Sequence, residues 1–217
     1  MKRTTNRSLV LHSGGIDSTI LASFLKDEGK DLTSLYFNVG HNAAACELSA
    51  VRATSGMLDI RTDVIDLSSI RSAFVSSAEA LMVAVPNPGK HVLELGSLLL
   101  LGPAITYARR MCIDTIYVGY TKLDADFSSE YSIDFLRAIS LLSSKAGFEP
   151  ISIEAPFISD SKESVLKRGS KRLEVLAKTW SCVLDGDIHC GTCQACRSRK
   201  EAFSSAGIED PTRYRKT

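Results

Sequence analysis

Ser8-Leu-Val-Leu-His-Ser-Gly-Gly-Ile-Asp-Ser-Thr19 is the stretch that decides the fold. Ser8 to His12 is a short apolar run of strand character that stops abruptly at Ser13-Gly14-Gly15. From Ile16 to Glu28 the apolar residues Ile16, Ile20, Leu21, Phe24 and Leu25 recur at helical spacing, and Gly29 closes the stripe. A strand, a glycine turn and a helix start, in that order, suit an anion. Two adjacent glycines let backbone N–H groups converge, and the helix start adds unpaired donors and the positive end of its dipole. The candidate phosphate-binding residues are His12, Ser13, Gly14, Gly15, Ile16, Asp17, Ser18 and Thr19. The hydroxyls of Ser13, Ser18 and Thr19 are offered to phosphate oxygens, while Asp17 either holds Mg²⁺ or fixes the turn. No lysine follows the glycines, so the loop is not of the Walker type.

Outward from this stretch the chain alternates. Leu32 to Val39 reads as strand, Ala43 to Leu58 as helix, and Ile60 to Leu67 as strand. Ile70 to Val83 reads as helix, Pro86-Asn-Pro-Gly89 as loop, Val92 to Met111 as a buried helix, and Ile113 to Tyr120 as strand. The pattern predicts an α/β fold with a doubly wound, mostly parallel sheet and helices on both faces. In such sheets ligands bind in loops at the carboxyl ends of strands, here after His12, Val39 and Tyr120. Beyond Pro156 the composition shifts to short basic helices and a cysteine cluster. This divides the chain into a nucleotide-binding α/β domain over 1–157 and a helical zinc-binding segment over 158–217.

Charge narrows the functional classes. The 217 residues carry 26 Lys+Arg against 25 Asp+Glu, a net charge of +1, so no strongly basic surface awaits nucleic acid. The uncharged, apolar stretch Leu95 to Ala108 is 14 residues, short of the roughly 20 a membrane span needs. Met1-Lys-Arg-Thr-Thr-Asn-Arg leads only into Leu9-Val10-Leu11, not a signal-peptide core, and a cytoplasmic protein is expected.

Four of the six cysteines crowd together as Cys182-x7-Cys190-x2-Cys193-x2-Cys196. Four thiolates are what a closed structural Zn²⁺ site requires, and Gly191 eases the turn between two ligands. The competing reading is a redox pair at Cys190 and Cys193; the further cysteines on either side favour metal. Four thiolates with Zn²⁺ add a charge of −2, which Arg197, Arg199 and Lys200 are placed to offset. His189 is expected beside the cluster or on the surface. Cys46 and Cys112 read as small buried hydrophobes, and Arg213-Tyr-Arg-Lys216 reads as a frayed tail.

Ser13-Gly-Gly-Ile-Asp-Ser18 resembles the SGGxDS loop of the N-type ATP pyrophosphatases. With Thr179-Trp-Ser-Cys182 and His189-Cys-Gly-Thr-Cys-Gln-Ala-Cys-Arg197 on the same chain, the whole resembles the 7-cyano-7-deazaguanine (preQ0) synthase, or QueC, family. The resemblance implies an adenine nucleotide alpha hydrolase-like fold, ATP, Mg²⁺ and Zn²⁺ as cofactors, and a homodimer. It also implies a reaction: activation of 7-carboxy-7-deazaguanine as an acyl-adenylate, amidation with ammonia, then dehydration to the nitrile. Catalytic roles fall on Asp17, Lys162 and Lys90, and substrate-binding roles on Asn38, His41, His91, Asp126 and Tyr131. Asn38 and His41 match the family's Asn-Gln-Arg-His stretch, but Val39 and Gly40 do not. Pro88-Gly-Lys-His91 stands where the family carries Pro-Gly-Arg-Asn. A lysine offers a carboxylate a point charge rather than a bidentate fork. Asp126 to Tyr131 lies on the family's Asp-rich segment, with Ser132-Ile-Asp134 replacing its usual ending, and Ser161-Lys-Glu163 matches Asn-Lys-Glu.

Two departures from that reaction stay open: a diverged ligase that stops at the amide, or one that passes the acyl group to another amine, such as one on a protein. A different class altogether is a nucleotide-binding module whose zinc knuckle docks nucleic acid or a protein without turnover, for which Trp180 and the nearby basic residues give some footing. The intact Ser13 to Thr19 loop favours the enzyme.

Overall fold

The computed structural model describes residues 7–69 and 96–216. Strands β1 (Arg7–Leu11), β2 (Asp31–Asn38), β3 (Arg61–Asp66), β4 (Thr115–Tyr117) and β5 (Ser152–Glu154) form one sheet in the order β3-β2-β1-β4-β5. Every neighbouring pair is parallel. The crossovers carry α1 (Ile16–Asp27), α2 (Ala44–Met57), α3 (Gly96–Arg110), α4 (Lys122–Phe127) and α5 (Ile133–Lys145). After β5 come α6 (Lys162–Gly169), the single turn α7 (Leu173–Leu176) and α8 (Gln194–Ala206).

Side chains alternate across a strand, so adjacent residues of β1 serve different layers. Val10 joins Ile20, Leu21 and Leu25 of α1 and Phe157, Val165, Leu166 and Phe203 from the later chain in one core. Leu9 joins Leu35, Ile116 and Ile151 with Ala104 and Ala108 of α3 on the opposite face. Both faces of the sheet are therefore covered, and fully burying each Leu or Phe contributes about 1.5–3 kcal/mol. The C-terminal helices are stitched to α1 by the same apolar surface that holds α1 to the sheet.

Some expectations shift on inspection. The strand expected over 113–120 is only Thr115–Tyr117, because Ile113 N–H closes the preceding helix on Ala108 O and the chain turns away at Gly119. Helix α3 runs through Pro103, as the reading of one helix up to Met111 expects. The helix expected over 70–83 and residues 92–95 lie outside the described residues. Strand β5 and helices α4 and α5 had no counterpart in the sequence reading. Among the described residues no helix is long and apolar enough to cross a membrane.

Candidate active site

The first turn of α1 is built from the inside. His12 is buried at the end of β1, its Nδ1 3.1 Å from Ser34 Oγ and its Nε2 2.9 Å from Thr19 Oγ1. Burial without a charged partner lowers its pKa from 6.5 to about 4, so the ring is neutral at pH 7. Thr19 is fully buried and its hydroxyl is engaged with His12. The hydroxyl expected to reach phosphate is thus held in the core by the His12 ring.

Ser13 and Ser18 take the outer position. Their hydroxyl oxygens lie 3.1 Å apart, and the Ser13 N–H donates to Ser18 Oγ at 3.2 Å. Gly14 has φ +75°, and a Cβ there would lie 2.7 Å from the Glu47 carbonyl oxygen of α2. Glycine is obligatory on both counts. Gly15 caps α1 with an ordinary φ of −76°, so only the first of the two glycines needs the left-handed region. On the other side, Gly119 brings the loop after β4 within van der Waals reach of Ser18; a Cβ would be 3.0 Å from the Ser18 backbone.

Asp17 stands at the opening with Lys162, the first residue of α6, whose Nζ is 3.3 Å from its Oδ2. Desolvation raises the Asp17 carboxyl above the usual range; Lys162 opposes that shift, Asp124 adds to it, and Arg199 opposes it from further off. Two cavities meet here. One, about 340 Å³, is lined by Ser13, Gly15, Asp17 and Ser18, by apolar side chains including Leu11, Leu35, Phe37 and Val118, and by His41, Glu47, Tyr120 and Asp124. The other, about 280 Å³, lies between the loop and the C-terminal segment, with Asp17, Lys162, Trp180, Ser181, Ser198 and Arg199 on its walls. The larger sits at the carboxyl ends of β1, β2 and β4, the location the sheet topology predicts, and the smaller beside the loop that leaves β1.

The expected substrate residues are only partly gathered there. His41 lines the larger cavity, its Nε2 3.0 Å from Glu47 Oε1. Tyr131 lies one step back, its ring 4.9 Å from that of Tyr120, which does line it. Asn38 is tied to Asp66 and to the Gly40 N–H at the end of β2. Asp126 pairs with Lys122 on the exposed α4. Neither lines either cavity. Lys90 and His91 lie outside the described residues. Glu47 and Gly119 escaped the sequence reading, since they carry no motif and only the crossing of elements brings them to the loop; Trp180, read there only as part of a motif, and Tyr120, read only as a strand end, also line the cavities.

The four cysteines converge. Their Sγ atoms all lie within 4.8 Å of one another, and the Cys190–Cys196 pair is 3.9 Å apart. Metal–sulfur bonds of about 2.3 Å in a tetrahedron place sulfurs about 3.8 Å apart, so the donor set fits a tetrahedral metal site, whereas a disulfide needs about 2.05 Å. Gly191 adopts φ +78° in the knuckle. Burial disfavours the Cys190 thiolate, but the Thr192 and Cys193 N–H groups and the Thr192 hydroxyl more than offset it, and its pKa falls to about 6.

His189 takes the first of its two expected places, buried beside the cluster, packed 4.2 Å from the Trp180 ring and accepting the Ser181 N–H at Nε2. Two other expectations are corrected. The basic tail is pinned: the Arg215 N–H donates to His189 O at 2.9 Å, and Tyr214 hydrogen-bonds Asp210. Cys46 is half-buried and donates to Asp185 Oδ1 at 2.9 Å, and Cys112 is exposed, so neither is a core hydrophobe. Arg199 is fully engaged, with Asp210, Thr179, Ser181 and the Leu176 carbonyl.

With this geometry in view, residues 7–207 match the family model "Queuosine biosynthesis protein QueC". The chain belongs to the QueC family. Among QueC relatives, the 7-cyano-7-deazaguanine synthase of Methanothrix thermoacetophila is 31% identical over 96% of this chain and 98% of its own length. The enzyme of the same name from Nitratiruptor sp. is 31% identical over 97% of this chain and 100% of its own. In fold, the chain is similar to the U34-tRNA thiolase NcsA from Methanococcus maripaludis, solved with its [4Fe-4S] cluster, at a TM-score of 0.57 and 13% identity over 92% of this chain and 66% of that one. That likeness concerns the fold alone.

Proposed function

We propose that this chain is an ATP-dependent 7-cyano-7-deazaguanine synthase. It activates the carboxylate of 7-carboxy-7-deazaguanine on the α-phosphate of ATP, releasing pyrophosphate. Ammonia then displaces AMP to give the amide, and a second ATP removes the amide oxygen to leave the nitrile. The observation that carries this reading is the Asp17–Lys162 pair at the start of α1, beside Gly14 and between the two cavities.

The residues divide the work as follows. N–H groups of the loop and the first turn of α1, with the Ser13 and Ser18 hydroxyls, hold the leaving pyrophosphate. Lys162 balances the negative charge that develops on it. Asp17, when ionised, is the group to hold Mg²⁺, which supplies charge neutralisation between phosphate oxygens. The apolar wall of Leu11, Leu35, Phe37 and Val118 receives a flat heterocycle, and the His41–Glu47 pair offers polar contacts at its edge. Lys90 is assigned to the substrate carboxylate and His91 to substrate binding, with Tyr131 acting through Tyr120; Asn38 and Asp126, held by Asp66 and Lys122, take no part in this assignment. Cys182, Cys190, Cys193 and Cys196 would hold Zn²⁺, whose contribution is to fix the segment that roofs the smaller cavity. The same reading takes the enzyme as a cytoplasmic homodimer, with neither membrane nor nucleic acid as partner.

Mass spectrometry of the product formed from the carboxy acid, ATP and ammonia tests this directly. Nitrile, with AMP and pyrophosphate released, is the expected outcome. Amide alone, or acyl transfer to a protein amine, would make the chain a diverged ligase. ADP formation, or no turnover of the carboxy acid, would overturn the reading.

A further inference from the structure

The C-terminal segment touches the phosphate loop at one backbone bond. The Trp180 N–H donates to the Gly14 carbonyl at 2.8 Å. A trans peptide is planar, with its C=O and N–H pointing in opposite directions. Fixing the Gly14 carbonyl on Trp180 therefore aims the Gly15 N–H the other way, to the side where Ser13 Oγ lies 3.4 Å from it. Gly15 lines both cavities. If that peptide flipped, it would present an oxygen rather than a donor to an anion.

Trp180 is itself held from the cysteine side. Its indole Nε1 donates to the Cys182 carbonyl at 2.8 Å. Its ring packs on His189 at 4.2 Å, next to Cys190 in sequence, and His189 Nε2 accepts the Ser181 N–H at 3.0 Å. One clustered cysteine, Cys182, thus seats Trp180 directly, and a second, Cys190, adjoins His189, which seats its ring. We infer that Trp180 is a positioning residue through which metal occupancy of the cysteine cluster sets the direction of the Gly14–Gly15 peptide, and so the affinity of the phosphate loop for ATP. This rests on the loop being the ATP site.

Trp180 is the single tryptophan of the chain, so its emission reports on this joint alone. In the metal-loaded protein, ATP titration shifts Trp180 emission, and calorimetry gives the reference affinity. Removing the metal with a chelator moves the emission and weakens ATP binding by about tenfold, the scale of one oriented hydrogen bond, while far-ultraviolet circular dichroism keeps the α/β core. Trp180→Ala, with its metal content measured, weakens ATP to a similar degree without losing metal, and Trp180→Phe, which keeps the ring but not the indole donor, restores part of it. ATP affinity that ignores both metal removal and Trp180→Ala would overturn the coupling. Failure of ATP to bind the metal-loaded parent would instead overturn the assignment of the loop, and the coupling with it.

Discussion

Lys162 Nζ lies 3.3 Å from Asp17 Oδ2, joining the first turns of α6 and α1 across the mouth of the phosphate loop. Desolvation raises the Asp17 carboxyl and Lys162 opposes it, so removing the lysine must raise it further. With ionised Asp17 as the working form, Lys162→Met moves the acid limb of the kcat/KM profile to higher pH. The rate at pH 7 falls by about tenfold to a hundredfold, the loss of one charge-assisted bond. A lowered rate with an unmoved acid limb would confine Lys162 to the phosphates, and an unchanged rate would remove it from the site.

The two loop glycines separate fold from function. Gly14→Ala meets a φ of +75° and a 2.7 Å contact with backbone, and costs about 1–3 kcal/mol of stability. Gly15 has an ordinary φ, and the nearest neighbour a Cβ there would meet is Ser13 Oγ at 3.4 Å. Gly15→Val therefore folds but fills the anion side, abolishing pyrophosphate release from ATP. Thermal melts beside pyrophosphate assays of the two variants check this; a cold-labile Gly15→Val with normal turnover would reverse the assignment.

His12 makes stability depend on pH. Its folded pKa is about 4 against 6.5 unfolded, and the groups facing it are the hydroxyls of Ser34, Thr19, Thr54 and Ser55, none of them charged. Between pH 6.5 and 4 the unfolded chain binds a proton that the folded chain refuses. The contribution is complete above 6.5 and is lost as the pH falls to 4, about 3 kcal/mol over the whole span. Urea unfolding at pH 7 and 4.5 should show the drop in the parent and a smaller one in His12→Asn. Equal drops would assign the dependence to other groups.

Cys190→Ser tests the cluster. Its sulfur accepts from the Thr192 and Cys193 N–H groups at the knuckle, so loss of this ligand should empty the metal site and loosen the segment from Cys182 to α8. Metal content by atomic absorption and protease sensitivity of residues 182–216 are the readouts. A variant with a full complement of zinc would end the four-thiolate assignment.

The strand, glycine turn and helix from Ser8 to Glu28 were legible because their determinants are local: an apolar run, a glycine at a forced φ and a helical stripe lie within one short stretch. The cysteine spacing was legible for the same reason. Strand β5 escaped because three residues are too few for a period of two to show, and α5 because Leu141 and Leu142 on it are exposed. Trp180, Glu47 and Gly119 reach the loop only through tertiary crossing, which no spacing along the chain encodes. The tail 213–216 looked unanchored because its partner is a main-chain group, the His189 carbonyl, and backbone pairing of an isolated bridge leaves no mark on composition.

Phe203 on α8 and Leu166 on α6 share their core with Ile20 and Leu21 of α1 and Val10 of β1. A premature stop codon between Phe157 and Phe203 would therefore yield a product with a wet, apolar flank on α1, prone to aggregate rather than merely to lose metal. Gene exchange faces the same barrier. The knuckle could not be swapped in from another lineage without matching side chains on α1, so the two halves must be inherited, and must vary, together.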